Sequence, residues 1–410
     1  MKRVEKMKNE LSRLAEMDAV TKEKLGVAHT AEEIFRQPML WEKTVAIIKQ
    51  AAPELRRFLE RTGISGGNRI ILTGAGSSDY IGQTLQPFLT AGLGRWVDAV
   101  PTTEIVIAPE SYLRRNEKLL LISFARSGNS PESLAALDIV DEFSPGCYHL
   151  IITCNKEGQL VRAAANRPKR AFAIVLDPEA NDQGLAMTSS FTSMCVAGTA
   201  LAYLKRISFY EELVKKTAAY AARIFYKYSS RLSYLTKQDY DRAVFLGDGP
   251  LRGIAAESHL KQQELTNGKV AAFYHSFLAF RHGPAAIIHP KTLVVYLLSS
   301  NSYRRAYELD LIKELTGRKL GLSHIILCDK EDKAFNELSE AVFPVLEATK
   351  EHLADVHLAP LYILFAQQLG LFRALELGVR PDAPNPEGTI SRVVRGVTVY
   401  PRPGGAGGYG

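Results

Sequence analysis

Two serine- and glycine-rich loops and one acidic helix hold the residues that could do chemistry in this 410-residue chain. Gly74-Ala75-Gly76-Ser77-Ser78 follows a short β-prone run, Arg69 to Thr73. The second loop, Ser123-Phe124-Ala125-Arg126-Ser127-Gly128-Asn129-Ser130, follows an apolar run from Lys118 and leads to Pro131 in the first turn of a helix. A loop between a parallel strand's C-terminal end and a helix N-terminus offers N–H groups and a positive dipole end, which suits a phosphate dianion. Ser78, Ser123, Ser127 and Ser130 add hydroxyl donors, and Gly128 lets the backbone come close. The plainer alternative is that Ser and Gly only cap helices, an account that two such loops on successive strands weaken.

Downstream, Glu257, Lys261 and Glu264 fall at i, i+4 and i+7 and so share one helix face. Carboxylates gathered on one helix face could serve as a general base. A solvated salt-bridge stripe is the competing reading. His282, in Arg281-His282-Gly283-Pro284, has an imidazole that titrates near neutral pH, although a lone histidine is more often a packed or surface residue.

Rival chemistries fit less well. Gly74-Ala75-Gly76 is followed by Asp79 where a dinucleotide fingerprint needs a third small residue, and the G-x-x-x-x-G-K-[ST] loop is absent. Cys147, Cys154, Cys195 and Cys328 show no metal or disulfide spacing, so no metal and a reducing cytoplasm are expected. The net charge of +7 is scattered along the chain, which predicts attraction for anionic metabolites and not for nucleic acid. The N-terminal segment lacks a signal peptide's apolar core, and runs such as Leu293 to Leu298 are too short to span a bilayer, so no membrane partner is expected.

These residues need strands and helices to place them. Residues 1 to 62 read as helical, with a capping box at Thr30 to Glu33 and Pro53 at a tolerant first-turn position. Strand, loop and helix units then alternate, with a further strand at Tyr148 to Thr153, which implies a parallel sheet. A long helical stretch, Thr188 to Leu235, separates this from a repeat of the same grammar. Arg69 to Gly76 matches Arg242 to Gly249, an offset of 173 residues that also lays Ser127 over Ser300. The second copy has Ser300-Asn301-Ser302 without glycine, so phosphate binding is expected in the first half alone. The predicted fold class is α/β, with two tandem doubly wound parallel-sheet domains after an N-terminal helical extension. Expected boundaries are 1–44 for the extension, 45–215 and 216–378 for the two domains, and 379–410 for a C-terminal tail over the active site.

GAGSSDY and SFARSGNSPES, the repeated domain, and ESHLKQQE followed by RHGP together resemble the SIS (sugar isomerase) family over about residues 45 to 400. Within it the chain is most similar to the AgaS group, described as galactosamine-6-phosphate deaminases or tagatose-6-phosphate ketose/aldose isomerases. It also looks similar to the isomerase half of glucosamine-6-phosphate synthase. The resemblance implies flavodoxin-like SIS domains and a substrate-binding set of Gly76, Ser77, Ser78, Ser123, Arg126, Ser127, Gly128, Asn129, Ser130, Glu257 and Arg395. It implies Glu264, His282 and Lys261 as catalytic. Ala125 stands where the synthase has a further serine, and Arg126 offers compensating charge. His282 lies 18 residues beyond Glu264, slightly more than in the synthase. Arg395 replaces the synthase's imine-forming lysine, a task a guanidinium cannot perform at neutral pH, and no glutamine-hydrolysing domain is read before residue 45. Amide transfer is therefore not expected.

The expected sequence of events is ring opening by His282, then transfer of the C2 proton to C1 by Glu264, with Lys261 and Arg395 steadying the developing oxyanion. An amine at C2 leads to a ketimine that water hydrolyses to a ketose phosphate and ammonia; a hydroxyl there leads to plain isomerisation. The residues do not separate these outcomes. The resemblance favours D-galactosamine 6-phosphate going to D-tagatose 6-phosphate, without metal or other cofactor. The alternatives are a tagatose-6-phosphate isomerase, a glucosamine-6-phosphate deaminase, and a non-catalytic sugar-phosphate sensor. A homo-oligomer, dimer or dimer of dimers, is expected, with His282 able to act on a neighbouring chain's site.

Overall fold

The computed structural model describes residues 9–63, 67–346, 351–394 and 396–401. Four helices lead the chain: α1 (Glu10–Glu16), α2 (Ala19–Leu25), α3 (Thr30–Phe35) and α4 (Gln37–Arg61). The first α/β unit runs β1 (Arg69–Thr73), α5 (Ser77–Leu93), β2 (Val97–Ala99), α6 (Thr102–Ile107), α7 (Pro109–Tyr112), β3 (Leu119–Ala125), α8 (Pro131–Phe143), β4 (Tyr148–Thr153), α9 (Gln159–Ala165) and β5 (Ala171–Val175). Then come α10 (Ser189–Thr199) and the long α11 (Ile207–Leu235). The second unit comprises β6 (Arg242–Gly247), α12 (Pro250–Leu265), β7 (Ala271–His275), α13 (Phe277–Phe280), β8 (Thr292–Leu297), α14 (Ser302–Gly317), β9 (Ser323–Cys328), β10 (Ala341–Pro344) and α15 (Asp355–Glu376).

Both sheets are wholly parallel and share one topology. Their orders are β2-β1-β3-β4-β5 and, read from its other edge, β7-β6-β8-β9-β10. The central strands LLLISFA (β3) and TLVVYL (β8) are buried at every residue, as expected of strands covered on both faces by helices. In this order the chain switches direction between the first and third strands, and ligands bind at the carboxyl ends of the strands there. The loops after β1 and β3 flank that point in the first unit, with Thr73 paired to Ser123 just below.

Three local expectations are corrected. Thr30 to Glu33 is not a capping box: α3 starts at Thr30, and its N-cap, His29, makes no side-chain cap bond. The Thr30 N–H and hydroxyl donate instead to Asp382 at 2.7 and 2.6 Å, while Glu33 accepts the N–H of Gln183 at 2.5 Å, so distant partners displace the local pairing. Pro53 lies inside α4 and not in a first turn. The apolar stripe from Leu40 through Trp41, Val45, Ile48 and Leu55 to Phe58 extends that helix on both sides of it. The helical middle is interrupted by a 3₁₀ segment, Ala200–Arg206.

Helices α4 and α11 cross the expected boundaries at 44/45 and 215/216. Helix α15, unlike the short apolar runs considered above, is long and apolar enough to cross a membrane. Its residues 355–374 are all buried in the protein, and a Cβ on Gly370 would lie 3.0 Å from the Lys261 carbonyl oxygen, so α15 backs α12.

Candidate active site

The first loop is shaped by Gly76, whose φ of 57° and ψ of −128° lie outside the regions L-residues favour. That turn starts α5 at Ser77 and buries Ser77, Ser78 and Asp79. Ser78, 5% exposed, makes no side-chain hydrogen bond among the described residues. The carboxyl of Asp79 is pushed up to about 6 by burial, against the pull of the Gln83 amide, which donates to it at 2.8 Å.

In the second loop Gly128 has a φ of 63°, and its carbonyl accepts the Leu160 N–H at 3.0 Å. The backbone N–H groups of Ser127 and Gly128 have no partner among the described residues. Those two donors next to the N-terminus of α8 suit an oxyanion. The side chains are less free than expected of phosphate donors. Ser130 is the N-cap of α8, Asn129 accepts the Gln159 N–H at 3.0 Å, and Ser127 accepts the Asn129 N–H at 3.3 Å. Ser123 lies within β3, its hydroxyl buried without a partner.

Arg126 departs furthest from its expected part. It donates to the carbonyls of Leu185, at 3.0 Å, and Arg392. Arg392 in turn donates to the Asp182 carbonyl at 2.7 Å. Arg126 therefore braces the loop, the 181–185 turn and the C-terminal segment together. Burial, and then the nearby Arg392 guanidinium, lowers its pKa, while Asp182, Glu264 and Glu33 work in the other direction.

The acidic helix face is not a solvated stripe. Glu257 and Lys261 on α12 are 0% exposed, because α5 and α15 cover them, and the Glu264 side chain is 22% exposed. Lys261 Nζ lies 3.2 Å from Glu257 Oε1 and 2.5 Å from Glu264 Oε2. It also donates to Ser77 Oγ at 3.2 Å, and the Ser77 hydroxyl donates to Glu257 at 3.0 Å. Ser77 thus ties the first unit's loop to the second unit's helix. Burial would lower the Lys261 pKa, but Glu257 and Glu264 together outweigh it and hold the ammonium above its ordinary value. Burial pushes Glu257 up to about 7, with Lys261 pulling against it and Glu264 adding to it. Of the two carboxylates, Glu264 is the one a substrate can touch.

An aromatic group beside this cluster was not read from the sequence. His259, between Glu257 and Lys261 in ESHLK, lies 4.7 Å from Tyr274 and 6.0 Å from Tyr80, centroid to centroid. Its ring donates to the Ala256 carbonyl, and burial first, then nearby Lys261, lowers its pKa. A ring at i+2 between two charged positions was the available signal.

Two expected residues are not brought to the cluster. His282 is exposed on the loop after α13, and its ring has no partner among the described residues. Arg395 lies outside the described residues. Among the described residues one group, Asp141, Cys147 and His149, has the makings of a metal site. Asp141 already binds Arg167 and Arg170 at 2.6 and 2.8 Å, and burial pushes the Cys147 thiol up to about 12, so the group is better suited to hydrogen bonding than to a cation.

Comparison with known proteins identifies the family and the fold. The SIS domain profile matches residues 63–204. An Escherichia coli protein named D-galactosamine-6-phosphate deaminase AgaS is 39% identical over 375 residues, 91% of this chain and 95% of its own length. A protein of the same name from Shewanella sp. strain ANA-3 is 38% identical over 382 residues, 92% of each chain. The crystal structure of tagatose-6-phosphate ketose/aldose isomerase from Escherichia coli matches with a TM-score of 0.83 and 38% identity, covering 91% of this chain and 96% of that one. With two parallel sheets of one topology, the paired serine loops and relatives of this identity along most of its length, the chain belongs to the AgaS group of the SIS family.

Proposed function

We propose that this chain is an amino-sugar-phosphate isomerase and deaminase that converts D-galactosamine 6-phosphate and water to D-tagatose 6-phosphate and ammonia. The observation that carries the reading is the Ser77–Glu257–Lys261–Glu264 cluster, a reachable carboxylate beside a buried ammonium at the edge of an oxyanion loop. The relatives' names supply the sugar.

The phosphate is held by the Ser127 and Gly128 N–H groups and the N-terminus of α8, with the Ser78 hydroxyl on the neighbouring loop and the Arg126 charge behind. Glu264 takes the proton from C2 of the open-chain aldose and returns it at C1. Lys261 stabilises negative charge as it develops on the C1 oxygen, and Glu257 keeps that ammonium in place. The C2 amine becomes a ketimine; water adds to C2 and the C2–N bond breaks, releasing ammonia. His282 opens the ring. Its exposure and the distance in sequence from the cluster fit a part played on a neighbouring chain's site in a homo-oligomer. The four free, buried cysteines fit a reducing cytoplasm.

Product analysis tests this. Purified protein with galactosamine 6-phosphate should yield ammonia and ketose phosphate in equal amounts. Interconversion of tagatose and galactose 6-phosphates with no ammonia from the amino sugar would make it a plain isomerase. Inertness toward all three would contradict both.

A further inference from the structure

The loop after β8 holds the place in the second sheet that the serine loop after β3 holds in the first. The companion loop after β6 turns at Gly249 with φ 56° and ψ −130°, against φ 57° and ψ −128° at Gly76. The second unit therefore keeps the backbone of a two-loop clamp at its own switch point. A carboxylate of the chain itself lies in it.

Asp355, the first residue of α15, is 4% exposed. Its Oδ1 accepts the Ser300 N–H at 2.7 Å and the Ser300 hydroxyl at 2.9 Å. Its Oδ2 accepts the Ser299 hydroxyl at 2.6 Å and the Arg304 guanidinium at 2.5 Å. A loop N–H, two serine hydroxyls and one cation form a complete donor set for a small oxyanion. The neighbouring Ser299 N–H is taken by Glu308 at 2.9 Å; that carboxyl is fully buried and its other oxygen has no partner. The contrast with the first unit is direct, since there the Ser127 and Gly128 N–H groups have no partner among the described residues.

We propose that the loop after β8 is a second oxyanion site of the same construction, and that the chain fills it with its own Asp355 carboxylate. For the kinship of the two loops this rests on the reading of the first as a phosphate site; the four bonds to Asp355 stand without it. The internal ligand pins the start of α15, the helix that backs α12 at Lys261.

Asp355→Gly in the full chain is the test, because it removes the side chain and leaves its donors in place. In chloride buffer this variant should melt well below the parent chain. Sodium acetate or inorganic phosphate, at matched ionic strength, should restore about half of the deficit or more, as a ligand bound only by the folded state does. The gain is counted beyond the same salt's effect on the parent chain. It should persist when Ser78→Ala and Gly128→Val disrupt the first loop, the one removing a hydroxyl and the other placing a side chain at a φ of 63° beside its free N–H groups. Absence of restoration by either anion, or its loss with the first loop, would overturn the proposal, whatever the ammonia assay shows. If Asp355→Gly does not fold, Asp355→Asn supplies the answer. That variant keeps the shape and loses the charge, so it should melt below the parent chain and gain nothing from acetate. Melting with the parent chain would overturn the proposal.

Discussion

Lys261 faces two carboxylates in a space that α5 and α15 close to water, and this arrangement makes it a structural residue as well as a chemical one. Lys261→Met keeps much of the volume and leaves Glu257 and Glu264 facing each other without a counter-ion. Breaking a buried ion pair from one side costs about 3–5 kcal/mol. Because Glu257 already holds its proton up to about 7, the expected loss is about 3 kcal/mol, the low end of that range. The denaturant midpoint reads it, and an unchanged midpoint would mean that Lys261 is not the counter-ion. The three charged positions were legible as one helix face from their spacing, but their burial was not. A helix face that reads Glu, Lys, Glu is ordinarily wet, and only the packing of α5 and α15, elements about 180 residues before and 100 after it, makes it dry. Arg126 shows the same limit. Its charge was visible in the loop, while the carbonyls that claim its N–H groups lie at residues 185 and 392.

At the scale of elements, the site depends on how closely α12 approaches α5. A Cβ on Gly253 would lie 2.3 Å from Thr84 Oγ1 and 2.5 Å from the Thr84 backbone nitrogen, too close for either helix to stay where it is. Gly253→Ala should cost about 1–3 kcal/mol as overpacking. It should also lower kcat more than Thr84→Ala does, because it moves Glu264 relative to Ser77. Equal kcat in the two variants, measured by ammonia release, would mean that the α5–α12 spacing does not set the site. The strands and helices were readable because two apolar runs, Lys118 to Ser123 and Tyr148 to Thr153, could be little else, and because the Arg69 and Arg242 segments align without a gap, with the arginine and both glycines in common. The corrections fall where a remote partner takes over a local signal. Asp382 claims Thr30, and Asp355, placed 55 residues after Ser300 with nothing local to mark it, fills a loop that looked merely degenerate.

Across the whole molecule, several carboxyls take up protons on folding. Burial first pushes Glu33 and Glu308 up to about 8 and Glu257 up to about 7, from an ordinary value of 4.5. Between 4.5 and each raised value the folded state binds more protons than the unfolded chain, so stability falls as pH rises through that window. His357, pushed down to about 4 by burial, works the other way, and its contribution is complete above its ordinary 6.5. From pH 6.5 to 8.5 the melting temperature should therefore fall, and Glu33→Gln should flatten the fall, each such group contributing at most about 1.4 kcal/mol per pH unit. A profile that is level, or identical in Glu33→Gln, would contradict the account of that buried carboxyl. The central claim concerns chemistry across the two units: a sugar whose phosphate is held by loops of the first gives up its C2 proton to Glu264 of the second. The most direct measurement follows ammonia release from galactosamine 6-phosphate and binding of the same sugar by calorimetry, in the parent chain and in Glu264→Gln. The expected result is unchanged affinity with kcat lower by about 10²–10⁴-fold; turnover surviving the substitution, or binding lost with it, would contradict the assignment.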